Sequence, residues 1–227
     1  DAVITDQAPR VTAVCVVFEV LPDAVNGFGS TAIDKRPLPG RLDVGPTGLA
    51  GDTQCDRRSH GGRDKAVYAY ADEDAAWWQE LLGRPVPPGS FGENLRTRGL
   101  DVSGAEIGER WRIGNGSGSL LLEITQPRIP CRTFQEWTGE PHWVRRFTDA
   151  DRPGAYLRVI DGGTVAAGDG VDVVHRPGHG VTVAGAFRGA TSREPGAMVR
   201  LLGAATDGTV ELAPALRRYV DRVVGSR

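Results

Sequence analysis

AEIGERWRIGNGSGSLLLEIT, residues 105–125, holds two short apolar runs on either side of a glycine-rich stretch, residues 114–118. Each run is strand-length and neither shows a helical repeat, and tight glycine connections are what hairpins need. The same texture spreads outward. Strands are predicted over 11–20, 65–70, 93–95, 155–160 and 171–174, and residues 22–51 read as short strands and turns. Residues 72–82 give the clearest helix, with Asp72 at its start, Trp77, Trp78, Leu81 and Leu82 on one face, and Gly83 and Pro85 after it. A weaker helical region covers 133–148. Short strands at this spacing predict an α+β fold that is mainly β with peripheral helices, built on a closed or nearly closed β-barrel. Residues 176–181 read as a linker, and 197–202 and 213–224 as a small C-terminal helical appendage. The expected division is a lead-in over 1–29, a barrel core over 30–175, and a linker with helices over 176–227.

The 227 residues are 40% hydrophobic, enough to bury a core, so wholesale disorder is excluded. The most apolar stretch, 11–21, is broken by Thr12 and Glu19 and is far shorter than the ~20 residues a membrane helix needs. With 27 basic against 29 acidic residues the formal net charge is -2, which argues against a nucleic-acid polymer as partner. Three cysteines without zinc-type spacing argue for a reducing compartment, and cytoplasm is the expectation. Of the basic residues only Lys35 and Lys65 are lysine. A compact ammonium is not interchangeable with a guanidinium, so these two positions draw interest.

Three segments carry candidate chemistry. GLAGDTQCDRRSHGG, residues 48–62, combines glycines with Asp52, Asp56 and His60, and is either a solvated loop or a close approach to a ligand. PGSFGENL, residues 88–95, sets Glu93 and Asn94 at the start of a strand, where Asn94 either offers an amide to a heterocycle or closes a turn. QPRIPC, residues 126–131, is an extended segment stiffened by two prolines that ends in Cys131, with Arg128 and Arg132 close by. Cationic neighbours favour a thiolate, the nucleophilic and metal-binding form. Cys15 lies inside an apolar strand and reads as core, and Cys55 lies in the charged loop. Hydrolase signatures, a phosphate-binding loop and iron–sulfur spacing are absent from the sequence.

Taken in order, the segments resemble the MOSC domain, the family named for the C-terminal domain of molybdenum cofactor sulfurases. The likeness runs through Ile33-Asp34-Lys35-Arg36-Pro37, Gly48-Leu49-Ala50-Gly51-Asp52 and His60-Gly61-Gly62. It continues in Lys65-Ala66-Val67-Tyr68-Ala69-Tyr70, Gly89-Ser90-Phe91-Gly92-Glu93-Asn94-Leu95, Gln126-Pro127-Arg128-Ile129-Pro130-Cys131, Gly154-Ala155-Tyr156-Leu157-Arg158-Val159 and Gly168-Asp169. Within the family the chain is similar to the stand-alone bacterial branch that includes the 6-N-hydroxylaminopurine-resistance protein.

The resemblance implies a β-barrel and a molybdenum cofactor (molybdopterin), with Cys131 as protein ligand to the metal. It implies that Lys35 and Arg36 hold the pterin phosphate, and that His60, Lys65, Asn94, Arg128 and Arg158 line the cofactor or substrate edge. Arg158 has the alternative of pairing with a carboxylate. The implied activity is reduction of N-hydroxylated bases or related compounds to amines, with Cys131 and His60 catalytic, His60 as proton donor, and an external reductase as electron donor. The expected assembly is a monomer or homodimer. The rival is a sulfur-carrier or cofactor-delivery module bearing a persulfide on Cys131. Pyridoxal phosphate belongs only to fused relatives, since no desulfurase domain fits in this length.

Overall fold

The computed structural model describes residues 8–25, 27, 29–55, 61–192 and 194–225. Eight strands form one mixed sheet. Its order is β11 (Val171–His175), β7 (Arg110–Ile113), β8 (Leu120–Pro127), β9 (Ala155–Asp161), β5 (Val67–Ala71), β6 (Leu95–Arg98), β1 (Arg10–Asp23) and β2 (Gly29–Pro37). The hairpin expected from residues 105–125 is the antiparallel β7–β8 pair, with Arg110 opposite Glu123 and Ile113 opposite Leu120. A small second sheet joins β10 (Gly163–Val165), β3 (Leu42–Gly45) and β4 (Gly48–Leu49). The β5–β6 pair is parallel. Parallel neighbours need a crossover, which includes helix α1 (Asp72–Leu82).

Strand β5, VYAYA, is buried along its whole length and separates two cores. Val67, Ala69 and Ala71 face the main aliphatic core, while Tyr68 and Tyr70 face an aromatic cluster, as strand alternation requires. That cluster lies against α1, α2 (Arg132–Thr138) and α3 (Trp143–Ala150) through Trp78, Phe134, Trp143 and Phe147. Phe147 meets Phe134 edge-on at 5.1 Å and Trp143 at 5.7 Å between ring centroids.

Helix and strand contents are about equal, and the α+β class stands. The barrel does not close as a continuous ladder among the described residues. The first half of β1 pairs with β6, and its second half peels away to pair with β2, leaving β2 and β11 as the sheet's ends. The seam from β1 to β11 is stitched by three backbone hydrogen bonds instead. Val11 N donates to Asp169 O (2.9 Å), Gly168 N to Val11 O (2.8 Å), and Val171 N to Pro9 O (2.9 Å).

The C-terminal helices α4 (Val183–Ser192), α5 (Pro195–Thr206) and α6 (Pro214–Val224) share the main core through Val183, Met198, Leu201, Leu216 and Val220. They are integral to the fold, where the sequence suggested an appendage. Helix α4 escaped the sequence reading because its Gly and Ala residues blur the apolar stripe. A Cβ on Gly189 would lie 2.5 Å from Met198 Cε, so glycine leaves room for the Met198 side chain between α4 and α5. Residues 176–181, read as a linker, are bonded to the segment just ahead of β7. Gly178 N and Gly180 N donate to the Glu106 carboxylate at 2.7 and 2.6 Å, and the His179 ring contacts Ile107 O at 2.8 Å. No helix among the described residues is long and apolar enough to cross a membrane.

Phe147 touches rings from α1, α2 and α4, including Phe187 at 6.4 Å. Phe147→Ala is expected to lower stability by about 3–5 kcal/mol, read as a lower urea midpoint with an unchanged slope.

Candidate functional site

The site begins at the junction of β1, β2, β5 and β6. Asn94, just ahead of β6, fills a gap between strands. Its Oδ1 accepts from Tyr68 N (3.0 Å), and its Nδ2 donates to Cys15 O (3.2 Å) and Asp52 Oδ2 (2.8 Å). The other oxygen of Asp52 accepts from Val17 N (2.9 Å). Lys35 completes the group by pairing its Nζ with Asp52 Oδ2, both side chains nearly buried. Burial pushes the Lys35 ammonium below its ordinary range, and the Asp52 carboxylate opposes that shift. Cys15 lies beneath, with its thiol pushed up to about 12 by burial, so it is inert core.

The segment leading into Asn94 is held by Glu93, which is fully buried. Its carboxylate accepts from Gly89 N (2.8 Å) and Phe91 N (2.9 Å) and pairs with the buried Arg96. A buried charge persists only with this degree of pairing. Gly89 has φ +90, and a Cβ there would sit 2.0 Å from Lys35 O, so the turn presses directly onto β2. The turn offers Phe91 O to Arg128 Nη1 at 2.6 Å. The Arg128 guanidinium is stacked 4.1 Å from the Phe134 ring centroid and 5.1 Å from that of Tyr68. Arg128 is thus fixed just before Cys131.

Cys131 follows β8 and precedes α2, half-buried in extended backbone. Thr133, two residues on, donates its hydroxyl to Asp23 at the far end of β1. Cys131 lies on the common wall of two cavities. The smaller, about 100 Å³ and named the inner cavity for its place over the Asp52 junction, is also lined by Lys35, Asp52, Asn94 and Arg128. The larger, about 370 Å³ and named the outer cavity, has α6 on its wall. Lys65 and Tyr156 line both, with Lys65 Nζ 5.2 Å from the Tyr156 ring centroid.

The structure therefore brings together Cys131, Lys35, Lys65, Asn94 and Arg128. Asn94 differs from the expectation, because its amide is taken up by the chain and it forms cavity floor. Arg36 lies outside this group. Strand alternation sends it to the face of β2 opposite Lys35, where it pairs with Asp34 (2.9 and 3.1 Å) and lies 3.5 Å from the Phe18 ring centroid. Arg158 lines neither cavity. It takes the alternative of carboxylate pairing, with Asp64 (3.3 Å), Glu123 (3.4 Å) and Glu211 (3.3 Å). His60 lies outside the described residues. Sequence reasoning missed the hub role of Asp52, the shared wall of Tyr156 and the part played by α6. The Asp52 motif was visible; the α6 contribution left no local signal.

The profile of the MOSC domain matches residues 56–172. YflK of Bacillus subtilis is 33% identical over 153 residues, 67% of this chain and 67% of that protein. The chain belongs to the MOSC domain family. YiiM of Escherichia coli is 31% identical over 153 residues, 64% of this chain and 65% of YiiM. A Gibberella moniliformis protein named a reductase is 29% identical over 158 residues, and the match spans only 27% of its length. Among solved structures, YiiM of Geobacillus stearothermophilus superposes over 95% of this chain and 98% of its own, with TM-score 0.75 at 23% identity. This MOSC chain therefore keeps the YiiM-like fold, C-terminal helices included.

Removing the charge of Asp52 leaves Lys35 buried without its partner. Asp52→Asn is expected to cost about 3–5 kcal/mol near neutral pH. Its Lys35 then holds fewer protons folded than unfolded, so stability rises with pH up to the ordinary lysine value of 10.5. Urea midpoints at pH 7 and 9.5 should show the deficit against wild type shrinking; an equal deficit at both would contradict the pairing.

Proposed function

We propose that this MOSC protein is a molybdenum-cofactor oxidoreductase that reduces N-hydroxylated bases or related compounds to amines. The observation that carries this reading is the position of the Cys131 thiol, on a wall shared by two cavities with Lys35, Lys65 and Arg128 around the inner one. The donor set fits the group. A single soft thiolate suits a metal already held by dithiolene sulfur, and the cations suit a pterin phosphate. Among the described residues no three His, Cys, Asp or Glu side chains gather into a metal site of their own. The reductase name of the fungal relative supports a redox role.

When bound, the cofactor supplies oxygen removal from substrate nitrogen: R–NHOH, two electrons and two protons give R–NH2 and water. In this reading Cys131 is the metal ligand, Lys35 and Lys65 are the ammonium contacts, and Arg128 is a fixed guanidinium on the cofactor side. Asp52 and Asn94 position Lys35 and the strands beneath it. His60 is the proposed proton donor, and the electrons come from a separate reductase. The second reading, a carrier with a persulfide on Cys131, draws support from Cys55, a second thiol lining the inner cavity.

Protein purified with its cofactor and given a reduced dye as electron donor should convert 6-N-hydroxylaminopurine to adenine. Cys131→Ala should lower kcat/KM about 100-fold or more, since even partners behind a metal ligand cost 10–100-fold. Arg36→Ala should stay near wild type. No turnover by wild type, with an extra sulfur atom on Cys131 by mass spectrometry, would favour the carrier.

A further inference from the structure

The outer chamber carries an observation that the proposed reaction leaves unused. It is lined by Lys65, Arg218 and Arg222, and no Asp or Glu is among the described residues on its wall. That is notable in a chain with 29 acidic and 27 basic residues. Arg218 makes no ion pair among the described residues, while its neighbour Arg217 is paired with Asp221 at 2.8 Å. Tyr219 stands beside them, with the Arg222 guanidinium carbon 5.5 Å from its ring centroid. Gln126 is on the same wall, 4% exposed, and its Nε2 has no hydrogen-bond partner among the described residues. Buried amides are almost always paired, so this one calls for a group from outside the chain.

These features divide into a flat, polar-edged part and an anionic part. The Gln126 amide carries both donor and acceptor, the complement of a heterocycle's hydrogen-bonding edge. Tyr219 offers a ring face, and the arginines offer forked donors. A phosphate monoester carries about −1.5 to −2 charge, a closer match to several cations than one carboxylate. Of these two cavities, Lys35 and Arg128 line the inner one alone and Arg218 and Arg222 the outer one alone, while Lys65 lines both; Arg218 also borders a small adjoining cavity that has Asp64 on its wall.

We infer that the outer chamber selects a phosphate-bearing heterocycle, an N-hydroxylated nucleoside monophosphate in preference to the free base, with Arg218 as specificity residue for the phosphate. The inference rests on the reading of Cys131 as the reaction centre.

The test uses full-length protein purified with its cofactor, titrated by calorimetry with adenosine 5′-monophosphate and with adenine, the product forms. Wild type should bind the nucleotide about tenfold or more tightly than the base, as a charged hydrogen-bonded contact implies. Arg218→Ala should erase that preference, and Arg217→Ala, one residue away with the same charge, should keep it. Gln126→Leu should weaken both ligands alike. No preference in wild type, or a preference that survives Arg218→Ala, overturns the inference. So does a loss of pterin content in Arg218→Ala, which would give the outer wall to the cofactor. A preference lost in Arg218→Ala, with neither N-hydroxylated form reduced by wild type, supports the anion site and overturns the reaction reading instead.

Discussion

The carboxylate of Asp52 takes hydrogen bonds from the β1 backbone, from the Asn94 amide and from the Lys35 ammonium. Three parts of the sheet meet on one charge, and the inner cavity lies over that point. Asn94 extends the arrangement by bonding Tyr68 of β5 and Cys15 of β1. These strands are far apart in sequence, and here a polar group does what apolar packing cannot. It fixes register and direction at a site lined by unlike side chains. The Glu93–Arg96 pair performs the neighbouring task, shaping the turn that anchors Arg128.

The fold built around this point has two cores because β5 is buried on both faces. Small and branched residues fill the aliphatic side, and aromatic rings fill the side facing α1, α2 and α3. Cys131 stands where these parts join. Its position follows from β8 before it, the two prolines, and the bond from Thr133 to Asp23. The backbone that carries this thiol is thus held on both sides.

Much of this was legible in the sequence. The alternation in KAVYAY announced β5 and its two faces, and the glycine-rich break at 114–118 announced the β7–β8 hairpin. The QPRIPC segment drew attention to Cys131, which the structure places on the wall of two cavities. What remained hidden is non-local. Adjacent basic residues Lys35 and Arg36 face opposite ways on a strand, so the fold parts two residues that the family resemblance had placed together at one phosphate. Arg158 was captured by three carboxylates, all of them distant in sequence. Helix α4, with its small residues, forms because β8, α5 and α6 cover it. Tertiary burial there outweighs weak helical patterning.

Cations around one half-buried thiol define the central claim, that Cys131 holds a molybdenum cofactor in this MOSC chain. Its most direct test is the molybdenum and pterin content per chain of wild type and Cys131→Ala, both purified anaerobically from a host that makes the cofactor. Near-stoichiometric metal in wild type with a sharp fall in the variant is the expected result. Equal metal in the two proteins, or none in either, would contradict it.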